Sequence, residues 1–254
     1  FCSLLADPSH PVDPTKLYPE YRDEAAEVLA LRNFVNFFGR PPSRDTKDRL
    51  LPMEAGDRWV YDEYDQTGNS VGTLVTKWVV SGSGAAGRVS INEGRDASNY
   101  SNTEYVVTAD GAFDTSPFSF APPIAQSVIG SLLDHPSVIY PSGSVRKAVR
   151  QGDWGADEDG DGKNESFRVE VLYEFAGDED VAVSYQANPV RTTHVRKNFT
   201  LTLYPTRPDL VPESISGLED TYAQSGVGFV KIVRSFLSNG QPVSGGYTLL
   251  LKSA

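Results

Sequence analysis

The run SFRVEVLYEF, residues 166–175, constrains the fold more than any other stretch of the chain. Phe167, Val169, Val171, Tyr173 and Phe175 fall at every second position, and Arg168, Glu170 and Glu174 stand between them. Successive side chains of a strand point to opposite faces, so this alternation predicts a strand with one dry face and one wet face. Such a strand belongs in an antiparallel sheet that lays one side on the core.

Other segments repeat the signal. In RWVYDEYDQTGNSVGTLVTKWVVSG, two runs rich in Trp, Tyr, Val and Thr flank the turn residues 67–70, which predicts a long hairpin. Further strands are expected at 88–91, 104–108, 145–150, 199–204, 227–235 and 247–252. Gly226 and Gly228 permit a bulge or a close backbone approach at the start of GVGFVK. One internal helix is expected over 122–134, opened by Pro122-Pro123 and closed before Pro136. Residues 1–18 read as an extended, Pro-rich arm. After it, residues 19–39 carry apolar side chains at helical spacing, with Glu20, Asp23 and Glu24 favouring the positive N-terminal end. The expected fold class is mainly β within α+β: one curved antiparallel sheet, a half-barrel, with an N-terminal amphipathic helix and one internal helix. Residues 19–254 form a single β-rich domain in this reading.

Charge narrows the partners. The 254 residues include 23 basic and 34 acidic ones, a formal net charge of −11. Nucleic acid binding needs a basic stripe, and an acidic chain without one is not expected to bind it. The longest apolar stretches are short and interrupted by charge, so no membrane-spanning helix is expected. Cys2 is the only cysteine and has no partner for an internal disulfide. An intermolecular disulfide, an acylated cysteine of the bacterial lipoprotein kind, and an unpaired thiol remain as its readings. Phe1 before it is larger than the small residue that a lipoprotein cleavage site expects.

The segment DEDGDGKNE, 157–165, poses the sharpest chemical question, because its like charges repel one another. Asp157, Asp159, Asp161 and Glu165 stand at relative positions 1, 3, 5 and 9, Gly162 at the turn and the Lys163 carbonyl at position 7. Hard oxygen donors at this spacing suit Ca²⁺, which takes about 6–8 oxygens at about 2.3–2.6 Å. An EF-hand would require a glutamate at position 12, and Arg168 stands there. The pattern resembles instead the calcium loops between strands of integrin-type propellers. That resemblance implies Asp157, Asp159, Asp161 and Glu165 as side-chain ligands and Lys163 as a carbonyl ligand. A site of this kind, filled outside cells, implies an exported protein.

Two further motifs read as structure. GNSVG, 68–72, matches the nucleophile elbow of serine hydrolases, but a second strand follows where a helix is needed. GSGAAG, 82–87, matches a dinucleotide fingerprint without the βαβ unit that gives it meaning. His10, His135 and His194 share no metal-ligand spacing. Sequons begin at Asn99, Asn164 and Asn198, the second of them inside the acidic loop.

Three stretches together resemble bacterial cell-envelope proteins, many of them lipoprotein-like, with half-barrel folds similar to lipoprotein carriers. They are LLPMEAGDRWVYDEY, GDWGADEDGDGKNESFRVEVLYEFAGDEDVAV and EDTYAQSGVGFVKIVRS. The resemblance implies a non-catalytic protein of the cell surface or envelope, with room for a hydrophobic ligand on the concave face. Two roles follow as expectations. The first is a structural or interaction component that self-assembles through the arm, with Cys2 locking neighbours. The alternative is a carrier for a lipid or another hydrophobic group.

Overall fold

The computed structural model describes residues 50, 53–82, 87–96, 99–108, 111–115, 117–118, 120–136 and 142–254. The expected arm 1–18, the expected helix 19–39 and Cys2 lie outside them. The described residues all belong to one compact unit, Pro42–Ala254.

The alternation of residues 166–175 is realised as expected. Phe167, Val169, Val171, Tyr173 and Phe175 are all buried, and Leu172 on the other face is 38% exposed. Their strand runs on to Val181, since Gly177 at φ +110° carries the chain through a register shift and lets pairing continue. The strands in chain order are β1 Arg58–Asp65, β2 Ser70–Ser81, β3 Gly87–Asp96, β4 Asn99–Val107, β5 Gly111–Asp114 and β6 His135–Pro136. They continue with β7 Val145–Asp153, β8 Ser166–Val181, β9 Val190–Tyr204, β10 Glu213–Gln224, β11 Gly228–Ser238 and β12 Gln241–Ser253.

All twelve join one antiparallel sheet in the order β6-β5-β4-β3-β2-β1-β12-β11-β10-β9-β8-β7. Each half of the chain is therefore a meander of neighbours, and the two halves are sewn together where β1 pairs with β12. The sheet is curved and not closed, which is the mainly β, half-barrel class expected from the pattern. Curvature shows in long-range contacts. The Trp59 indole donates to the Val227 carbonyl at 2.6 Å and the Tyr61 hydroxyl to the Phe229 carbonyl at 3.0 Å. These tie β1 to the start of β11, two strands away in the sheet.

The first hairpin turns where Asp65 takes the backbone N–H groups of Thr67 and Asn69, at 2.8 and 2.9 Å. Ser70 of GNSVG opens β2, so it is a hairpin residue here. At the other end of the chain, Asn239 (φ +47°) and Gly240 (φ +77°) make the two-residue link between β11 and β12. The bulge expected near Gly226–Gly228 lies one step later, where the register shifts between Tyr222 and Ala223 opposite Lys231 and Phe229.

Helix α1, Pro123–Gly130, is shorter than the 122–134 expected. It starts at Pro123 as foreseen, but Gly130 sits against β5, where a Cβ would lie 2.8 Å from the Asp114 carbonyl oxygen. The chain then tightens: the Ser131 N–H bonds to Val128 O at 3.3 Å and the Leu132 N–H to Ile129 O at 2.9 Å. This frees residues 132–135 to cross toward the inner face of the sheet.

The buried face of β8 dominates packing near α1, with Phe167 edge-on to Trp154 at 5.8 Å between ring centroids. Removing the Phe167 ring leaves a cavity in a site that has little room to collapse. Phe167→Ala is expected to cost about 3–5 kcal/mol in urea denaturation, and Leu172→Ala about 0.5 kcal/mol or less. Equal losses for the two variants would mean that the face assignment is wrong.

Candidate functional site

The loop between β7 and β8 is closed at its base by two backbone bonds. The Trp154 N–H donates to Glu165 O at 2.8 Å and the Glu165 N–H to Ala156 O at 3.2 Å. Gly160 and Gly162, at φ +76° and +86°, turn the chain in the left-handed region that glycine adopts readily. Backbone N–H groups consequently point inward at the carboxylates. Asp157 accepts from Gly160 (2.7 Å), Asp161 (3.2 Å) and Gly162 (2.8 Å). Glu165, only 1% exposed, accepts from Glu158 (2.8 Å) and Asp159 (3.0 Å). Asp159 reaches out of the loop and accepts the N–H groups of Thr206 and Arg207, each at 3.0 Å.

Of the five residues expected to hold a cation, three are brought together. Ligand oxygens of Asp157, Asp159 and Glu165 lie within 4.8 Å of one another. Two oxygens on opposite sides of a Ca²⁺ ion are about 4.6–5.2 Å apart, so the triad has the dimensions to share one ion. Asp161 is turned elsewhere: its carboxyl is held below the usual range by hydrogen bonds to Thr206 and to the Lys163 N–H, the latter at 2.9 Å. The Lys163 ammonium is 3.7 Å from the same carboxylate. Arg207, the other nearby cation, binds Asp209 at 2.6 Å. Glu165 is thus a buried carboxylate stabilised by backbone dipoles. Among the described residues it has no ion-pair partner.

A second site lies on the inner face of the sheet, where a cavity of about 480 Å³ opens between the two meanders. Lys77 and Glu93 face it from β2 and β3, Tyr105 from β4, and Val171, Phe199 and Ile232 from β8, β9 and β11. Strands so far apart in the sheet line one space only because the sheet curls. Ile129 of α1 and the crossing segment Leu132–His135 cover it. Phe199 reaches its place because Gly217 on the neighbouring strand has no side chain. A Cβ there would collide with the Phe199 ring.

One end of this cavity is polar, and its residues form a single rung across five strands. Tyr173 of β8 pairs with Lys197 of β9, Lys197 with Glu219 of β10, Glu219 with Arg234 of β11, and Arg234 with Tyr247 of β12. Lys197 Nζ is 3.0 Å from Glu219 Oε1, the Arg234 guanidinium bonds the other Glu219 oxygen, and Arg234 Nη1 reaches the Tyr247 hydroxyl at 2.8 Å. The crossing segment adds to the rung from above. Lys197 Nζ donates to Asp134 Oδ1 at 2.6 Å, and His135 sits 3.0 Å from Asp134 Oδ2 and 3.8 Å from Glu219 Oε1.

Burial alone would raise both carboxyls. The charges of Arg234, Lys197 and His135 outweigh it and hold Glu219 far below the usual range. His135 and Lys197 do the same for Asp134. Lys197 is raised despite its own burial, because Asp134 and Glu219 favour its charged form. Burial pushes Tyr105 and Tyr173 well above the ordinary phenol value, so both stay neutral.

None of the rung was read as a site from the sequence. The available signal, present for Lys197 and missing for Glu219, was a charge on the apolar phase of a strand. Lys197 stands in step with Val195 and Leu201, and Glu219 in step with Gly217 and Thr221. His135 was expected only to end a helix; it begins β6 instead.

Both carboxyls titrate lower in the folded state than in the unfolded chain, where they titrate near about 4. Their contribution to stability is therefore complete above that value and is lost as pH falls through the folded values. The free energy of unfolding is expected to drop steeply below about pH 4. Glu219→Gln, less stable at neutral pH by about 3–5 kcal/mol because Arg234 and Lys197 lose their partner, should show a flatter drop. Parallel pH profiles for the two proteins would remove Glu219 from the account.

No family model matches the chain, and no curated protein or solved structure matches it either, so the functional reading rests on this geometry.

Proposed function

We propose that this chain is a non-enzymatic, exported binding protein that holds a hydrophobic ligand in the concave face of its half-barrel, with a structural calcium loop at its side. The observation that carries the reading is the cavity of about 480 Å³, within the range of about 300–1,000 Å³ usual for small-molecule sites. Its walls are mainly apolar, and its polar groups converge at one end, which is the usual division between affinity and orientation. The rung favours binding over catalysis. Its cations and carboxylates are committed to one another, and Tyr105 and Tyr173 are held neutral. The resemblance of local stretches to envelope proteins similar to lipoprotein carriers agrees with this assignment.

Calcium is proposed at Asp157, Asp159 and Glu165, the three residues of the expected set whose oxygens converge. Its work there is structural: a divalent cation relieves the repulsion among carboxylates crowded into one turn. A site with an affinity of about 10⁻⁴–10⁻³ M would be filled outside cells and empty within them, which supports the reading of an exported protein. No helix of the described residues is long and apolar enough to cross a membrane.

The calcium part is tested by calorimetric titration of the metal-stripped full chain. At a calcium concentration a hundredfold above the dissociation constant, unfolding should be harder by about 2.7 kcal/mol. The pair Asp157→Asn and Asp159→Asn should abolish both the heat and that gain. Absence of heat and of any rise in Tm in the starting protein would reduce the loop to a solvated acidic turn.

For the cavity, the neutral dye Nile red should bind saturably to the monomeric full chain and shift its emission to the blue. Val171→Asp, which places a charge on the cavity wall, should abolish that signal. A chain that elutes as large species and leaves the dye unbound would instead favour the assembly role expected of residues 1–18.

A further inference from the structure

We infer that the ligand of the inner cavity is electrically neutral and carries a hydroxyl group at one end: an apolar alcohol, not a carboxylate, phosphate or amine. The inference rests on the binding role proposed above and adds the chemistry of the head group. It follows from how charge is distributed at the polar end. Each cation there is already committed. Lys77 is 2.7 Å from Glu93, Lys197 is 2.6 Å from Asp134 and 3.0 Å from Glu219, and Arg234 is bonded to Glu219. A ligand carboxylate or phosphate would enter a low-dielectric space with no cation of the described residues free to receive it.

The same ledger disfavours an ammonium group. Glu93, Asp134 and Glu219 each hold a cation already, His135 stands 3.0 Å from Asp134, and Asp114, the fourth carboxylate of the lining, is engaged as well. A buried charge without a partner costs several kcal/mol, which an apolar tail of modest size does not restore. A purely apolar ligand is disfavoured for the opposite reason, since it would seal polar groups away from water without giving them a bond.

One acceptor in the network can take a further donor. Glu219 Oε1 is buried, and among the described residues Lys197 is the one side chain near enough to donate to it. The Lys197 ammonium lies 3.0 Å away, and a carboxylate oxygen paired in this way still has a lone pair to offer. The His135 ring nitrogen, at 3.8 Å, is too far to donate. A neutral O–H group supplies one donor and brings no charge, which matches what that oxygen can take. Tyr105 and Phe229, whose rings lie beside His135 at 6.3 and 5.0 Å between centroids, give the carbon next to such a hydroxyl an apolar seat.

The test is competition at equilibrium. The full chain is loaded with Nile red, and dodecanol, dodecanoate and dodecylammonium, equal in chain length, displace it at near-neutral pH below their micelle-forming concentrations. Dodecanol should displace the dye at a concentration about tenfold or more below either charged analogue, equivalent to about 1.4 kcal/mol. Dodecanoate or dodecylammonium at parity or better would overturn the inference, by revealing an uncommitted cation or carboxylate respectively. A loaded dye displaced by none of the three would overturn it as well. Failure of Nile red to bind at all is a different result and removes the binding role itself.

Variants provide a second, directional readout. Glu219→Gln leaves an uncompensated positive charge and should move the preference about tenfold toward dodecanoate. Lys77→Met, which leaves Glu93 without its cation in the half of the sheet away from the rung, should move it toward dodecylammonium. Unchanged selectivity in a variant whose far-ultraviolet circular dichroism is that of the starting protein would overturn the charge argument.

Discussion

The carboxylate of Glu219 sits on the inner face of the sheet, 6% exposed, with a cation on either side. A carboxylate taken out of water is tolerable only when it is paired and hydrogen-bonded. That requirement fixes three strands against one another, because Lys197, Glu219 and Arg234 occupy one rung of β9, β10 and β11. Sliding β10 by one residue would turn Glu219 to the outer face, where Asp220 now pairs with Arg196 at 2.9 Å, and would leave two cations buried alone. Apolar alternation sets which face of each strand is inward. The ion pairs add a penalty for every wrong register, so specificity and the polar end of the cavity come from the same residues.

Topology explains why this rung meets anything at all. Two meanders joined at β1 and β12 place β2–β4 and β8–β11 on opposite arms of a curl, with Lys77–Glu93 on one arm and the rung on the other. The crossing segment after α1 then carries Asp134 and His135 over the rung. The acidic loop is tied to the same assembly. Its Gly155 lies within 3.3 Å of Ile124 in α1, counted from where a Cβ would be, and Trp154 rests on Phe167 of β8. Asp159 holds the connection between β9 and β10 through two backbone N–H groups. Loop, helix and the strands of the rung are therefore mechanically continuous.

Much of the sheet was legible because its strands obey a simple rule. β1, β2 and β8 announce themselves through aromatic and β-branched residues at alternate positions, and Gly68-Asn69 marks the first turn. β10 did not, and the reason is physical. Its inward residues include Gly217, Glu219 and Thr221, chosen for a polar cavity wall and for the ring of Phe199, so the apolar signal is missing where the site is built. The Asn239-Gly240 turn, a strong hairpin signal, joins β11 to β12 and so says nothing of β10. The acidic loop was legible as a cluster. Its geometry was not: the spacing of Asp157, Asp159, Asp161 and Glu165 offers no means of telling that Asp161 turns to Thr206 while the other three converge.

Buried ion pairs are a poor device for stability alone. Apolar residues of similar volume commonly do as well or better, because the cost of removing charges from water offsets much of their attraction. Lys197, Glu219 and Arg234 therefore call for an explanation beyond holding three strands in place, since β8 shows that apolar alternation achieves this without charge. Two facts point the same way. The rung faces a cavity that the described side chains leave open, and its charged groups are paired with one another at the wall of that space. A filled apolar core would have made the sheet more stable and less selective. In the binding role proposed here, a wall of paired charges raises the cost of any guest that brings a charge of its own, and so would convert the cost of burial into discrimination between head groups.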